Sequence, residues 1–355
     1  MVALPIQSSE ARARVRGESL RGVRVWLLFL ILLVFAMVLV GGATRLTESG
    51  LSITEWNLVA GALPPLDDTA WQAAFDLYRQ SPQYDLLNQG MSLEAYKTIY
   101  WWEWAHRELG RFIGLVYIAG FIWFAARRVV TGRALAILAA MGLLLGTQGI
   151  VGWVMVASGL EPGMRAVEPL RLTLHLTLAS LFFASLVAMF VKLGGAQREN
   201  ARPGERFAAR AIVVLAFVQI ALGGLVAGHD AGLTYNTWPL MDGRLVPHGL
   251  GMIEPLWLNA FDNITTIQFN HRLGAYVLAA AIFAYAVAMR RAEKPAIGRA
   301  LLLSALVLAQ ITVGIATLIN VVPTPLALSH QAIALILLFV LVWNASVFRR
   351  ASASV

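Results

Sequence analysis

The sequence predicts an all-α polytopic membrane protein, with eight transmembrane helices arranged as two four-helix bundles related by a pseudo-two-fold axis. Three observations carry this. Hydrophobic residues make up 58% of the 355 and charged residues only 14%, against roughly 25% charged in an ordinary soluble domain. Apolar runs long enough to cross about 30 Å of hydrocarbon recur at 25–43, 106–126, 134–156, 172–191, 207–227, 271–289, 296–321 and 326–347. The third is a duplication: Gly41 to Trp56 (GGATRLTESGLSITEW) aligns without gaps on Gly223 to Trp238 (GGLVAGHDAGLTYNTW), at an offset of 182.

The resulting division is a cytoplasmic tail at 1–24, a first bundle at 25–192, a linker at 193–206, a second bundle at 207–348 and a tail at 349–355. Four spans per half is an even number, so both halves enter the membrane in the same orientation. Their axis then runs along the membrane normal.

In order along the chain, the first run closes on Gly41-Gly42 and opens a long loop, about 45–105, rich in aromatic side chains. The stretch 67–80 after Pro64-Pro65 has the composition of a short interfacial helix. The second and sixth runs begin with polar turns at His106 and His271, the fourth and eighth carry His175 and His330, and the third, fifth and seventh carry Gly152, Gly223 and Gly314. Such small residues let helices approach one another, or a flat ring system, closely. Gln148 with Gly152 answers Gln310 with Gly314. His229 and His248 fall in the second long loop and are expected to be structural or interfacial.

Charge orients the spans. Arg12, Arg14, Arg16, Arg21 and Arg24, then Arg127, Arg128 and Arg133, then Lys192, Arg198, Arg202, Arg206 and Arg210, then Arg290, Arg291, Lys294 and Arg299, and finally Arg349 and Arg350 all lie on one side. That side is the cytoplasm. The formal charge of +8 is thus a product of topology, and a nucleic-acid-binding role is excluded. The Arg-rich leader contains Glu10 and Glu18 and runs into the first span without a small-residue cleavage site, so it reads as a retained tail. The expected location is a bacterial inner membrane, with both termini cytoplasmic and the histidines toward the periplasm.

An ionisable or ligating side chain at membrane depth is costly, which makes each such residue a functional candidate. His106, His175, His271 and His330 each stand alone at the outer start of an apolar run, two per half at corresponding places. Paired imidazoles on facing helices suit the two axial positions of a haem iron, one haem per half. The chain has no cysteine, which removes thiolate ligation, iron–sulfur ligation and covalent c-type attachment. Arg107 and Arg272 follow their histidines directly, with Arg111 and Arg171 within a turn; guanidinium forks suit the propionates of a haem. The halves differ at one position: Glu103 stands three residues before His106, and Gln268 three residues before His271. A carboxyl beside one iron and an amide beside the other suggests chemistry at the first site and electron transfer at the second.

These residues resemble the haem A synthase family, in its cysteine-free branch. The likeness rests on the 41–52 stretch, Glu103-Trp104-Ala105-His106-Arg107, Thr237-Trp238-Pro239-Leu240-Met241, Gln268-Phe269-Asn270-His271-Arg272 and the His175 and His330 helices. It implies an enzyme that oxidises the C8 methyl of haem O to the formyl group of haem A for cytochrome oxidase. It implies further that His106 and His175 bracket the substrate haem, that His271 and His330 ligate a permanent haem b, and that Glu103 is the carboxylate near the reacting methyl. Water as the oxygen source, an upstream synthase that delivers haem O, an electron-transfer partner and cytochrome oxidase assembly factors follow from the same resemblance. Membrane lipid is the surrounding partner, and homo-oligomerisation is left open. Two other classes compete: a bis-histidine dihaem electron-transfer cytochrome, and a haem-binding transporter or chaperone. Neither needs the difference between Glu103 and Gln268.

Overall fold

A computed structural model describes residues 9–57, 60–194, 199–292 and 294–350. Arg198, counted with the cytoplasmic charges, lies outside them, as does the tail after Arg350. The described residues form α1 (Ser9–Leu46), α2 (Asp68–Tyr78), α3 (Pro82–Leu87), α4 (Leu93–Ala126), α5 (Gly132–Gly159), α6 (Pro169–Leu193), α7 (Pro203–Gly228), α8 (Asn259–Asp262), α9 (Ile264–Met289), α10 (Lys294–Ile319) and α11 (Thr324–Val347). Eight of these, all but α2, α3 and α8, are long and apolar enough to cross a membrane. The chain is a multi-pass membrane protein, all-α in its body as its composition predicts.

Several helices outrun the apolar stretches that announced them. Helix α1 starts at Ser9 because the Arg, Ala, Leu and Glu before the span are themselves good helix formers. Helix α4 starts at Leu93, capped by Ser92, whose hydroxyl accepts from the Ala95 N–H. Its added turns present Tyr96 and Tyr100 at i, i+4 spacing to Trp71, Phe75 and Tyr78, all three from the amphipathic α2. That aromatic cluster caps the bundle at the end opposite the termini. Its polar sequence hid it from a search for membrane-apolar runs.

Helices α1, α4, α5 and α6 pack in a ring, and α7, α9, α10 and α11 repeat it. The rings join through α6 on α7, α11 on α6 and α1 on α11. The core lies in the half of the molecule nearer the termini, where Leu27 and Leu30 of α1, Leu186 and Val187 of α6, Ile282 of α9 and Leu338 of α11 are sealed from solvent.

Two features depart from the sequence reading. Glu199–Ala201 (β1) pairs in parallel with Phe348–Arg350 (β2), so the segment between the halves is tied to the end of the last helix. Arg299, placed among solvated loop cations, belongs to α10 and is buried. Its guanidinium forms a fork with Glu199 at 2.6 and 2.7 Å and donates to Asn344, which in turn donates to the Tyr285 hydroxyl. A cation there is tolerated because its charge and donors are all met.

Candidate functional site

The four histidines lie inside their helices, about two turns from the start of α6, α9 and α11 and deeper in the extended α4. Each is roughly 26–30 Å from the far end of its helix at 1.5 Å per residue. His175 matches the others in this because α6 continues to Leu193.

All four rings are seated in one way. His106 of α4 lies against Gly41 of α1, where a methyl group would stand 2.8 Å from the ring. His175 of α6 lies against Gly152 of α5 at 2.8 Å, His271 of α9 against Gly223 of α7 at 3.3 Å, and His330 of α11 against Gly314 of α10 at 2.7 Å. At Gly41, Gly152 and Gly314 an added methyl would force the imidazole to move, and at Gly223 it would press against the ring. Helices running toward the loop-rich end supply the notches, and helices running back supply the histidines. Within each half, the two histidine helices stand diagonally across the ring, α4 from α6 and α9 from α11.

A structural histidine in an apolar interior normally has its ring nitrogens hydrogen-bonded. Here the Nδ1 atoms of His106, His175 and His330 are buried without a partner. Among the described residues, no three His, Cys, Asp or Glu converge as a cage for a bare metal ion. A haem supplies four equatorial nitrogens of its own and asks only for axial ligands. Paired imidazoles seated in glycine notches, three of them with an unpartnered Nδ1, fit that group.

One helical turn before three of the four notch glycines stands a glutamine. Gln148 donates to the His175 carbonyl at 3.0 Å, Gln219 to the His271 carbonyl at 3.0 Å and to its Nδ1 at 3.1 Å, and Gln310 lies 3.3 Å from a ring nitrogen of His330. Sequence reasoning paired Gln148 with Gln310 but missed Gln219. The recurring Gln-x-x-x-Gly spacing at 148/152, 219/223 and 310/314 was the available signal.

The duplication is reproduced in detail by the loops. Glu48 and Asp230, at the offset of 182, both take left-handed backbone, with φ of 54° and 51°. Arg107 donates to the Ile53 carbonyl at 2.7 Å and the Glu55 carbonyl at 2.9 Å; Arg272 donates to the corresponding Tyr235 carbonyl at 2.7 Å and Thr237 carbonyl at 3.0 Å. Both arginines therefore tether the loop after the first helix of their half to the histidine helix. Arg107 also lies over the Trp56 ring.

Glu103 and Gln268 close the same tethers with opposite polarity. One Glu103 oxygen accepts from the Ser52 hydroxyl and the Ile53 N–H, both at 2.8 Å, and the other accepts from Arg107 at 2.5 and 3.1 Å. Gln268 donates to the Ala231 carbonyl at 2.8 Å and the Thr234 carbonyl at 2.5 Å, and accepts from Arg272 at 3.1 Å. The first loop thus offers donors to a carboxylate and the second offers acceptors to an amide.

Of the remaining candidates, Arg111 binds Glu108 and the Asn57 and Gly61 carbonyls, and Arg171 binds the Val154 carbonyl near Glu168. His229 caps α7 and contacts the Phe261 carbonyl through Nε2 at 2.6 Å, whereas His248 is exposed on the loop.

Comparison with known proteins assigns the chain to a family. The chain is 49% identical over 338 residues to a protein of Azorhizobium caulinodans named Heme A synthase, covering 95% of this chain and 97% of that one. Proteins of the same name from Methylorubrum extorquens and Mesorhizobium japonicum are 50% and 48% identical, covering 94% and 93% of this chain and 88% and 92% of theirs. The model of the COX15-CtaA family, described as cytochrome oxidase assembly protein, matches residues 24–342, a range that takes in all four histidines, their glycine notches and both loop tethers; the chain belongs to that family.

Proposed function

We propose that this chain is a haem A synthase, which oxidises the C8 methyl of haem O to the formyl group of haem A. The observation that carries the reading is the duplicated pair of histidines seated in glycine notches, three of the four with a buried and unpartnered Nδ1, in a chain half identical to proteins of that name over nearly its whole length. His106 and His175 hold the substrate haem, and His271 and His330 hold haem b. Bound haem b supplies one-electron transfer between the substrate site and an external acceptor. The conversion removes four electrons and four protons from the methyl group and one water.

The residues of the chain orient and insulate this chemistry. The glycine notches set the ring positions, and the Arg107 and Arg272 tethers fold a loop over each site, which keeps bulk water from the reacting carbon. Glu103, 3% exposed and one helical turn from His106, places the only carboxylate of the tether pair beside the substrate haem. There its carboxylate stabilises positive charge and can accept a proton released at the substrate site. The second site carries the neutral Gln268 in its place. In the cell this orientation puts the termini in the cytoplasm and both sites toward the periplasm.

Extraction of the pigments tests the reading. Purified protein should release haem b together with haem O or haem A. Two equivalents of haem b and nothing else would identify an electron-transfer cytochrome instead.

A further inference from the structure

At the end of the molecule nearer the termini, α6 turns Leu181, Ser185, Ala188 and Lys192, one face at helical spacing, into a groove of about 320 Å³ against Ile137 and Met141 of α5. From Lys192 down to Leu181 this groove runs about 16 Å at 1.5 Å per residue, the depth of one leaflet of a hydrocarbon core about 30 Å thick. A second groove, of about 440 Å³, is walled by Arg210, Val213 and Val214 of α7 and by Val342 and Ser346 of α11. Lys192 lines both. No acid lines either one, and among the described residues Lys192 and Arg210 have no ion-pair partner. The neighbouring acids Glu199 and Glu205 are engaged with Arg299 and Arg202.

The repeat supplies an internal comparison. Aligned on His175 with His330 and on Gly152 with Gly314, the groove residues Ser185, Ala188 and Ile137 answer Val340, Trp343 and Arg299. In the second half the Arg299 guanidinium lies over the Trp343 ring, so larger side chains fill the space that the first half leaves open. The cations change as well: Lys192 answers Val347, and Arg210, aligned on Gly41 with Gly223, answers Leu28. The fold therefore requires neither the charges nor the opening. Cations at the end of a span commonly snorkel to water, but snorkelling accounts for no apolar groove beneath them. We propose that this is a binding site for an anionic diacyl phospholipid. Its phosphate lies between Lys192 and Arg210, one acyl chain runs down the α5–α6 groove against Ala188 and Ser185, and the other follows Val213 and Val214. Two cations above two apolar grooves match one anionic head with two chains, and basic pockets between membrane helices recur as headgroup sites. The four histidines lie toward the opposite ends of their helices, so the lipid site is separate from them.

Native mass spectrometry of the full-length protein tests this. The protein is delipidated in detergent and titrated with dioleoyl phosphatidylglycerol or dioleoyl phosphatidylcholine, which share their chains and differ in headgroup charge. One phosphatidylglycerol should bind about thirtyfold more tightly than phosphatidylcholine, at roughly fivefold per cation. Lys192→Gln and Arg210→Gln should each lose about fivefold of that preference, and the double variant should no longer discriminate. Ala188→Trp, which copies the second half, should weaken both lipids alike and leave the preference intact. Ser185→Val is the milder filling of the same groove, for use should Ala188→Trp not fold. Arg127→Gln, at the same end of the molecule but outside both grooves, should change nothing. Equal binding of the two lipids by the wild type, or an undiminished preference in the double variant, would overturn the proposal. A loss from Arg127→Gln as large as that from Lys192→Gln would do the same, because the attraction would then belong to the whole basic face. Unchanged binding in the folded groove-filling variants would reject the acyl-chain placement.

Discussion

Glu103 illustrates how much a single residue's meaning depends on what faces it. From the sequence, Glu103→Gln copies the amide already present at Gln268 and is expected to be tolerated. The tertiary structure changes that expectation, because the Ile53 N–H and the Arg107 guanidinium both require an acceptor, and an amide nitrogen turned toward either is a clash of donors. The variant should still insert and keep haem b, since the second half is untouched, yet make less than about a tenth of the wild-type haem A, on the scale of roughly 10²–10⁴-fold for a lost proton-transfer group. Chromatography of extracted haems gives the answer, and a wild-type yield of haem A would refute any catalytic part for Glu103. A second residue-scale expectation concerns the notches. Gly314→Leu places a side chain where even a methyl would stand 2.7 Å from the His330 ring, so haem b should be lost without loss of the protein from the membrane. His330→Ala should have the same spectral result, and intact low-spin haem b absorption in both would falsify the assignment of the second site.

At the scale of elements, each histidine helix of the tethered pair carries two functions on one stretch: a ring directed to its partner helix and, one residue later, an arginine that holds a loop. The two tethers look alike but should not cost the same to break. Arg107→Met leaves the buried Glu103 carboxylate without its cation, a loss of about 3–5 kcal/mol. Arg272→Met leaves only neutral carbonyls and the Gln268 amide unmet, about 1–3 kcal/mol. Protease sensitivity of the 47–57 and 229–240 loops, together with thermal unfolding in detergent, would rank the two variants. Equal effects would mean that the Glu103–Arg107 pair contributes nothing beyond its hydrogen bonds.

At the scale of the molecule, the halves are joined at both ends. Near the loops, Arg45 of the first half pairs with Asp230 of the second at 2.7 Å. At the opposite end, Glu199 of the connecting segment pairs with the buried Arg299. The first pair is half-exposed and should contribute at most about 1 kcal/mol. Glu199→Ala strands a buried guanidinium and should cost about 3–5 kcal/mol, visible as a lower unfolding temperature with haem b still bound in the folded fraction. No change in unfolding temperature would show that Arg299 finds water or another partner.

Composition and apolar run length alone identified an eight-span helical membrane protein, because unbroken apolar runs of about 20 residues match a helix crossing hydrocarbon, whereas a barrel strand needs only about 10. The gap-free match of 41–56 on 223–238 at an offset of 182 pointed to two halves, and the repeated histidines within them marked the candidate site, since position along a helix is linear in sequence. What lies across a helix interface is not. The glycine notch opposite each ring, Gln219 beside one of them, and the donors that face Glu103 were settled by contacts between segments far apart in the chain. Likewise, Arg299 counts as a cytoplasmic surface charge by its place in the sequence. It is a buried half of an ion pair because folding brings Glu199, a hundred residues away, within reach of its guanidinium.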